Sequence, residues 1–151
     1  MISDNWIKKM FQVTDLLKTW SKDRSTGVGA VVMGPHHEIR ATGYNGFARG
    51  VEDDLEIRHL RPEKYLWTVH AEANAIFAAA RTGVPLVGCT IFCSLYPCAR
   101  CADAIIQAGI TTVFVDERNG QDVMTRWEAE HTIAELKFQE AGIPVYFYNG
   151  E

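Results

Sequence analysis

The 151-residue sequence has no long hydrophobic run: its longest unbroken apolar stretch, Ala75-Ile76-Phe77-Ala78-Ala79-Ala80, falls far short of the roughly 20 residues that span a bilayer. The opening residues Met1-Ile2-Ser3-Asp4-Asn5 lack the basic segment and apolar run of a secretory signal, so a soluble, cytoplasmic protein with no membrane partner is expected. Cysteine is scarce, with four residues all between positions 89 and 101, and in a reducing compartment these read as thiols or metal ligands rather than disulfides. Positive charge is also in short supply: 15 Lys and Arg against 19 Asp and Glu give a net charge of −4. A field of that sign repels a polyanion, so no nucleic-acid partner is expected, although a few local basic side chains can still hold one phosphate. A hydrophobic content of 47% and 11% aromatics exclude disorder and coiled coil. No repeat, linker or low-complexity tract divides the chain, and its length suits a single domain over residues 1–151.

The periodicities predict alternating elements. Trp6, Ile7, Met10, Phe11, Val13, Leu16, Leu17 and Trp20 recur at helical spacing after a Ser3/Asp4 cap region. Residues 27–33 and 39–44 read as strands joined by a Gly-Pro turn, and 45–68 as a long loop. The Ala-rich stretch 69–81 is a helix stopped by Gly83, 90–95 a strand, and 98–108 a helix ended by Gly109. Then come a strand at 111–115, a helix at 125–141 and a strand at 143–148. The order α-β-β-α-β-α-β-α-β predicts an α/β fold whose later strands are joined by helical crossovers.

Chemistry concentrates at the starts of two helices, in His70-Ala71-Glu72 and in Pro97-Cys98-Ala99-Arg100-Cys101. Cys98 and Cys101, three residues apart, share a helix face and can grip one ion, with His70 as a third ligand. Two thiolates and an imidazole select a borderline-soft divalent cation, Zn2+. Three protein ligands leave the fourth tetrahedral position to water, whose pKa the ion lowers to about 7. The helix dipole favours the thiolates at this end. Glu72, close to the ion without being needed as a ligand, can carry protons. Cys89 and Cys93 offer a competing four-thiolate site with Cys98 and Cys101, but Cys93 alternates with Ile91 and Leu95 on a strand face and reads as core. His36, His37, His59 and His131 read as solvated or internally satisfied.

His-x-Glu followed by Pro-Cys-x-x-Cys matches the known signature of zinc nucleobase deaminases, which implies hydrolytic replacement of a ring amine by oxygen. The wider sequence resembles the deoxycytidylate (dCMP) deaminases of the cytidine deaminase superfamily from about Ser21 to Val145. The matching segments are Ser21-Lys22-Asp23, Val28-Gly29-Ala30-Val31, Gly43-Tyr44-Asn45-Gly46, His70 through Ile76, Tyr96 through Ala102, Ile105 through Ile110, and Ala141-Gly142-Ile143. The resemblance implies a three-layer α/β/α fold around a mixed five-stranded sheet, zinc on His70, Cys98 and Cys101, and Glu72 as proton shuttle. It also implies Asn45 on the sugar of a small-molecule nucleotide, and the backbone at Ala71 and the Tyr96 region along the base pocket.

A 5′-phosphate would need donors, for which Lys22, Arg24, Ser25 and Thr26 are candidates, Arg24 foremost because its planar fork matches phosphate. Arg58, Arg61 and Lys64 are weaker candidates for the same role and read first as surface charges. The sequence departs from familiar relatives in Phe47-Ala48-Arg49-Gly50, where Met-Pro-x-Gly is frequent, and in Asp103, where a basic residue is common. The expected activity is conversion of dCMP to dUMP with release of ammonia. The alternatives are a deaminase of another base, nucleoside or modified cytosine nucleotide, a tRNA adenosine deaminase, or a zinc-stabilised module without activity. Apolar residues near the ends, Trp6, Trp20, Phe138, Tyr146, Phe147 and Tyr148, together with the resemblance, predict a homo-oligomer from dimer to hexamer.

Overall fold

A computed structural model describes residues 1–118 and 128–151. The chain opens with α1 (Asp4–Lys18), then folds β1 (Gly29–Met33) against β2 (Ile39–Tyr44) around a turn in which Gly34 N–H donates to the Glu38 carbonyl at 2.8 Å. An excursion follows, bounded by β3 (Gly46–Phe47) and β4 (Thr68–Val69) and containing a short 3-10 helix (Glu56–His59) and α2 (Lys64–Trp67). The remainder is α3 (Ala71–Thr82), β5 (Thr90–Cys93), α4 (Ala99–Gln107), β6 (Thr112–Asp116), a helix at Glu128–Ala141 designated α5, and β7 (Val145–Tyr148).

The main sheet has five strands in the order β2-β1-β5-β6-β7. β1 runs antiparallel to both β2 and β5, whereas β5, β6 and β7 are mutually parallel. Parallel neighbours need long crossovers, and α4 and α5 supply them. Alternation along the strands divides the core in two. Val31, Met33, Phe92, Phe114 and Tyr148 face α1 and meet Met10, Phe11 and Leu17. Ala30, Val32, Ile91, Cys93, Val113 and Val115 face the opposite side, against Ala71, Ala75 and Ala79 of α3, Ala102 and Ile105 of α4, and Ala134 and Phe138 of α5. The result is the expected three-layer α/β/α arrangement around a mixed sheet. Phe11 anchors the first layer, stacked on Tyr148 at 4.6 Å and edge-on to Phe92 at 5.6 Å.

Several expectations need correction. Residues 45–68 are a folded excursion rather than an open loop: Phe47 stacks on His59 at 5.0 Å, and the Arg58 guanidinium lies 3.9 Å above the Trp67 ring. These contacts depend on partners about ten residues apart, which local periodicity does not register. Ser3 occupies the N-cap position of α1 but makes no side-chain cap; its carbonyl accepts from the Trp6 and Ile7 amides instead. Phe138 and Tyr148 are core residues, whereas Trp20, Tyr146 and Phe147 are exposed. The first residues of the predicted helix 125–141 lie outside the described residues. Among the described residues no helix is long and apolar enough to cross a membrane.

Gly43 fixes how closely α3 approaches the sheet. A Cβ there would sit 2.2 Å from the Ala71 carbonyl oxygen and 2.4 Å from the Ala75 amide nitrogen, both backbone atoms that cannot swing aside. Gly43→Ala is therefore expected to destabilise the fold by about 1–3 kcal/mol in urea unfolding, the usual range for overpacking, and to loosen zinc retention because the displaced turn begins next to His70.

Candidate metal centre

The sheet topology explains why residues distant in sequence meet. Since β1 is antiparallel to β5, the start of β1, the end of β2 and the end of β5 lie at one edge of the sheet. Ser94 locks this edge: its N–H donates to the Gly29 carbonyl at 3.0 Å and its Oγ accepts from the Gly29 N–H at 2.9 Å. Just beyond, α3 and α4 both begin, and each opens on a metal-ligating residue in extended backbone, His70 (φ −71°, ψ 155°) and Cys98 (φ −72°, ψ 171°). Cys98 thus caps α4 rather than lying inside it, with its Sγ accepting the Cys101 N–H at 3.4 Å.

His70 Nδ1 lies 3.4 Å from Cys98 Sγ and 3.5 Å from Cys101 Sγ. Zinc–sulfur and zinc–nitrogen bonds of about 2.3 and 2.0 Å in a tetrahedron give ligand–ligand edges of roughly 3.5 Å, so this donor set fits zinc in both chemistry and spacing. His70 is exposed at the rim, Cys98 half-buried and Cys101 buried, leaving one side open to solvent. Cys89 and Cys93 are buried in the core and do not belong to this group.

Electrostatics divides the three ligands. Cys98 is pushed down to about 4, first by its hydrogen bond with Cys101 and then by His70, against the cost of burial. Its neighbour Cys101 moves up, because Cys98 holds the shared negative charge and burial disfavours a second one. His70 is pushed up to about 9 by the Cys98 thiolate. Glu72, in the first turn of α3 and only 3% exposed, has its carboxyl raised by burial, against the pull of His70 and Cys101. A carboxyl whose proton affinity is raised by burial beside a metal corner is suited to carry a proton.

The other expected site residues are only partly brought together. Asn45 is buried and lines a cavity of about 230 Å³ at the same sheet edge, together with Lys22, Asp23, Asp53, His59 and Lys64. Its Oδ1 accepts from the Val28 N–H at 2.8 Å and its Nδ2 donates to the Thr26 carbonyl at 3.0 Å. One N–H and one lone pair of the amide remain. Lys22 pairs with Asp53 at 2.9 Å, and Arg24 pairs with Glu56. Ser25 and Thr26 donate their backbone N–H groups to Asp23 at 2.9 and 3.0 Å. Ala71 is fully buried behind His70. Tyr96 adjoins the Pro97-Cys98 pair, but its ring packs towards Phe147 and His131, lining a different cavity.

Sequence reasoning missed three structural contributors. Asn74, one turn after His70, donates to the Tyr44 carbonyl at 2.8 Å and pins α3 to the end of β2. Asp23 closes the 23–26 turn, a role its spacing ahead of Ser25 and Thr26 could have signalled. Lys64, read as a surface charge, is 9% exposed and bonded to Asp23; nothing in its local sequence marks that burial.

Residues 4–117 match the family described as the cytidine and deoxycytidylate deaminase zinc-binding region. The chain is 42% identical over 145 residues to the "Uncharacterized deaminase in luxG 3'region" of Aliivibrio fischeri, covering 96% of this chain and 94% of that protein. It is 34% identical over 145 residues to the human deoxycytidylate deaminase, covering 91% and 76% respectively. In three dimensions it resembles the dCMP deaminase of cyanophage S-TIM5, crystallised in complex with dCMP and dUMP, with a TM-score of 0.75 and 24% identity over 98% of this chain and 100% of that one. That last likeness bears on the fold.

The ligand electrostatics sets a proton count. At pH 7 the raised His70 and Cys101 hold protons while the lowered Cys98 is already a thiolate. Zinc uptake by the metal-free protein should therefore release about two protons, because all three ligands must be deprotonated to bind. Calorimetry in buffers of different ionisation enthalpy measures that number, and release of none would contradict the assignment.

Proposed function

The chain belongs to the cytidine and deoxycytidylate deaminase family, and from that we propose that it converts dCMP to dUMP by zinc-dependent hydrolytic deamination with release of ammonia. The observation that carries this reading is the meeting of His70, Cys98 and Cys101 within 4.8 Å of one another, next to a buried Glu72. Relatives that are deoxycytidylate deaminases in human and mouse support the choice of substrate.

In this reading His70, Cys98 and Cys101 hold the ion, whose contribution is to make water acidic enough to serve as a nucleophile near neutral pH. Glu72 accepts the proton of the attacking water and delivers it to the ring nitrogen next to the amine-bearing carbon. A second proton passed through the same carboxyl leaves with the amine as ammonia, so that water supplies the oxygen of the product. Burial equips Glu72 for both directions of transfer. The spare N–H and lone pair of Asn45 suit a sugar hydroxyl. The Ala71 backbone and the Tyr96–Pro97 segment border the base. Lys22 and Arg24, held by the half-buried Asp53 and the exposed Glu56, can exchange those partners for a 5′-phosphate, with the Ser25 hydroxyl beside them.

We further propose a single deaminase domain over residues 1–151, acting in the cytoplasm on a small-molecule nucleotide, and assembled as a homo-oligomer between dimer and hexamer. The exposed apolar side chains Leu66 (82%), Ile57 (61%) and Phe77 (61%) support assembly. Light scattering is expected to give a mass of at least two chains; a mass near 16.9 kDa would contradict it.

Ammonia release from dCMP, deoxycytidine, cytosine and guanine tests the substrate. dCMP should be turned over best, and a better alternative would overturn the assignment. Glu72→Gln should retain its zinc while turnover falls by roughly 10²–10⁴-fold, the scale of general acid–base catalysis; an unchanged rate would remove Glu72 from the reaction.

A further inference from the structure

We infer that Lys64 is a positioning residue for nucleotide turnover: its buried ammonium, acting through the Asp23 carboxylate, holds the 21–28 loop and the Asn45 amide in place beside the metal corner. This rests on the reading above that Asn45 and this loop form the sugar- and phosphate-facing wall.

Lysine is rarely buried unless paired. Lys64 sits in α2 with its side chain 11% exposed, and Asp23 opposite is 10% exposed. The ammonium reaches both carboxylate oxygens, at 3.3 and 3.2 Å. From Asp23 the hydrogen bonds continue without a break. Its Oδ1 accepts the Ser25 and Thr26 N–H groups, the Thr26 carbonyl accepts from Asn45 Nδ2, and Asn45 Oδ1 accepts from Val28 N–H. A second branch closes the circuit: Asp23 N–H donates to Ser21 Oγ at 3.1 Å, and that hydroxyl donates to the Asn45 carbonyl at 2.9 Å. The Asn45 amide and the backbone of the 23–28 turn are thus tied into one network whose far end is one ammonium.

The flanking ion pairs behave differently. Lys22 is 70% exposed where it meets Asp53, and Arg24 and Glu56 are 53% and 66% exposed. Pairs in that environment are loose and exchange readily with solvent or a ligand anion. Of the three consecutive charges 22–24, the outer two are therefore free to change partners, and the middle one is fixed from below by Lys64. Since Asp23 already takes the Ser25 and Thr26 N–H groups, those amides serve the loop and not the phosphate. Lys64 itself, committed to Asp23, acts through the loop rather than on the substrate. It also lies six residues before His70, so the same short stretch of chain carries both the loop's anchor and a metal ligand.

The test uses the zinc-loaded full chain with Lys64→Met, Lys64→Arg and Asp23→Asn, the last as a shape-preserving second variant should Lys64→Met fail to fold. KM, kcat and zinc content are measured with whichever substrate of the panel above turns over best, and amide hydrogen exchange is followed at residues 21–28. For Lys64→Met and Asp23→Asn, KM should rise roughly 10–100-fold, the factor that corresponds to loss of one hydrogen bond to a charged group. kcat should change less than about 3-fold, zinc should stay at one per chain, and exchange should accelerate at Ser25 and Thr26 but not in the β1–β5 ladder. Lys64→Arg should restore most of the lost KM. A purely structural role would instead lower kcat, zinc content or melting temperature at constant KM, and that result overturns the inference. So does a raised KM with unchanged exchange in the loop, or exchange that accelerates with KM unmoved. Failure of the wild-type protein on dCMP sinks the substrate reading alone, because the exchange data and the KM for the better substrate still decide the role of Lys64.

Discussion

Two helix amino ends aimed at the same point are the constraint on which this molecule depends. Each presents backbone N–H groups that have no carbonyl partner within the helix and the positive end of a dipole, and each begins with a residue whose side chain carries a metal-seeking lone pair. The separation of those ends follows from backbone packing. Gly43 lets α3 press against β2, Asn74 pins it there, and Ser94 ties the end of β5 to the start of β1, so that α4 begins where it must. A ligand set with edges of 3.4 and 3.5 Å is thus held by packing and hydrogen bonds in which no ligand side chain takes part.

Around that point the protein separates two kinds of electrostatics. At the reaction corner Glu72 and Cys101 are buried beneath the exposed His70: burial raises the proton affinity of Glu72, and Cys98 together with burial raises that of Cys101. The side proposed for the nucleotide carries ion pairs graded by exposure, from the enclosed Asp23–Lys64 to the more open Lys22–Asp53 and Arg24–Glu56. A reaction that moves protons benefits from groups whose affinities do not drift with solvent, whereas capture and release of an anion benefit from partners that let go.

The zinc ligands and the layered sheet were legible because they depend on local signals: Cys98 and Cys101 one turn apart, His70 two residues before an acid, Gly83 and Gly109 after the last residues of their helices. The α1 stripe was legible only in part, since Met10, Phe11 and Leu17 are buried but Leu16 and Trp20 are not. The excursion between β2 and α3 was not legible. Its order comes from Phe47 on His59, Arg58 on Trp67 and Lys64 on Asp23, and such pairings leave no period in the sequence. The burial of Lys64 had the same obstacle, because its partner lies 41 residues earlier. The carboxylates that pair with Lys22 and Arg24, Asp53 and Glu56, come from about thirty residues further along the chain, so the local sequence around 22–26 does not show them.

The miniature ladder of β3 and β4 joins Gly46 to Val69 and Phe47 to Thr68, closing the excursion at its root. What lies beyond that stem can lengthen, shorten or change composition while the register of the catalytic scaffold stays as it is. The stem thereby keeps the segment that carries Lys64 apart from the strands and helices that hold the metal corner, so side chains beyond it can alter what enters without moving the ligands beneath.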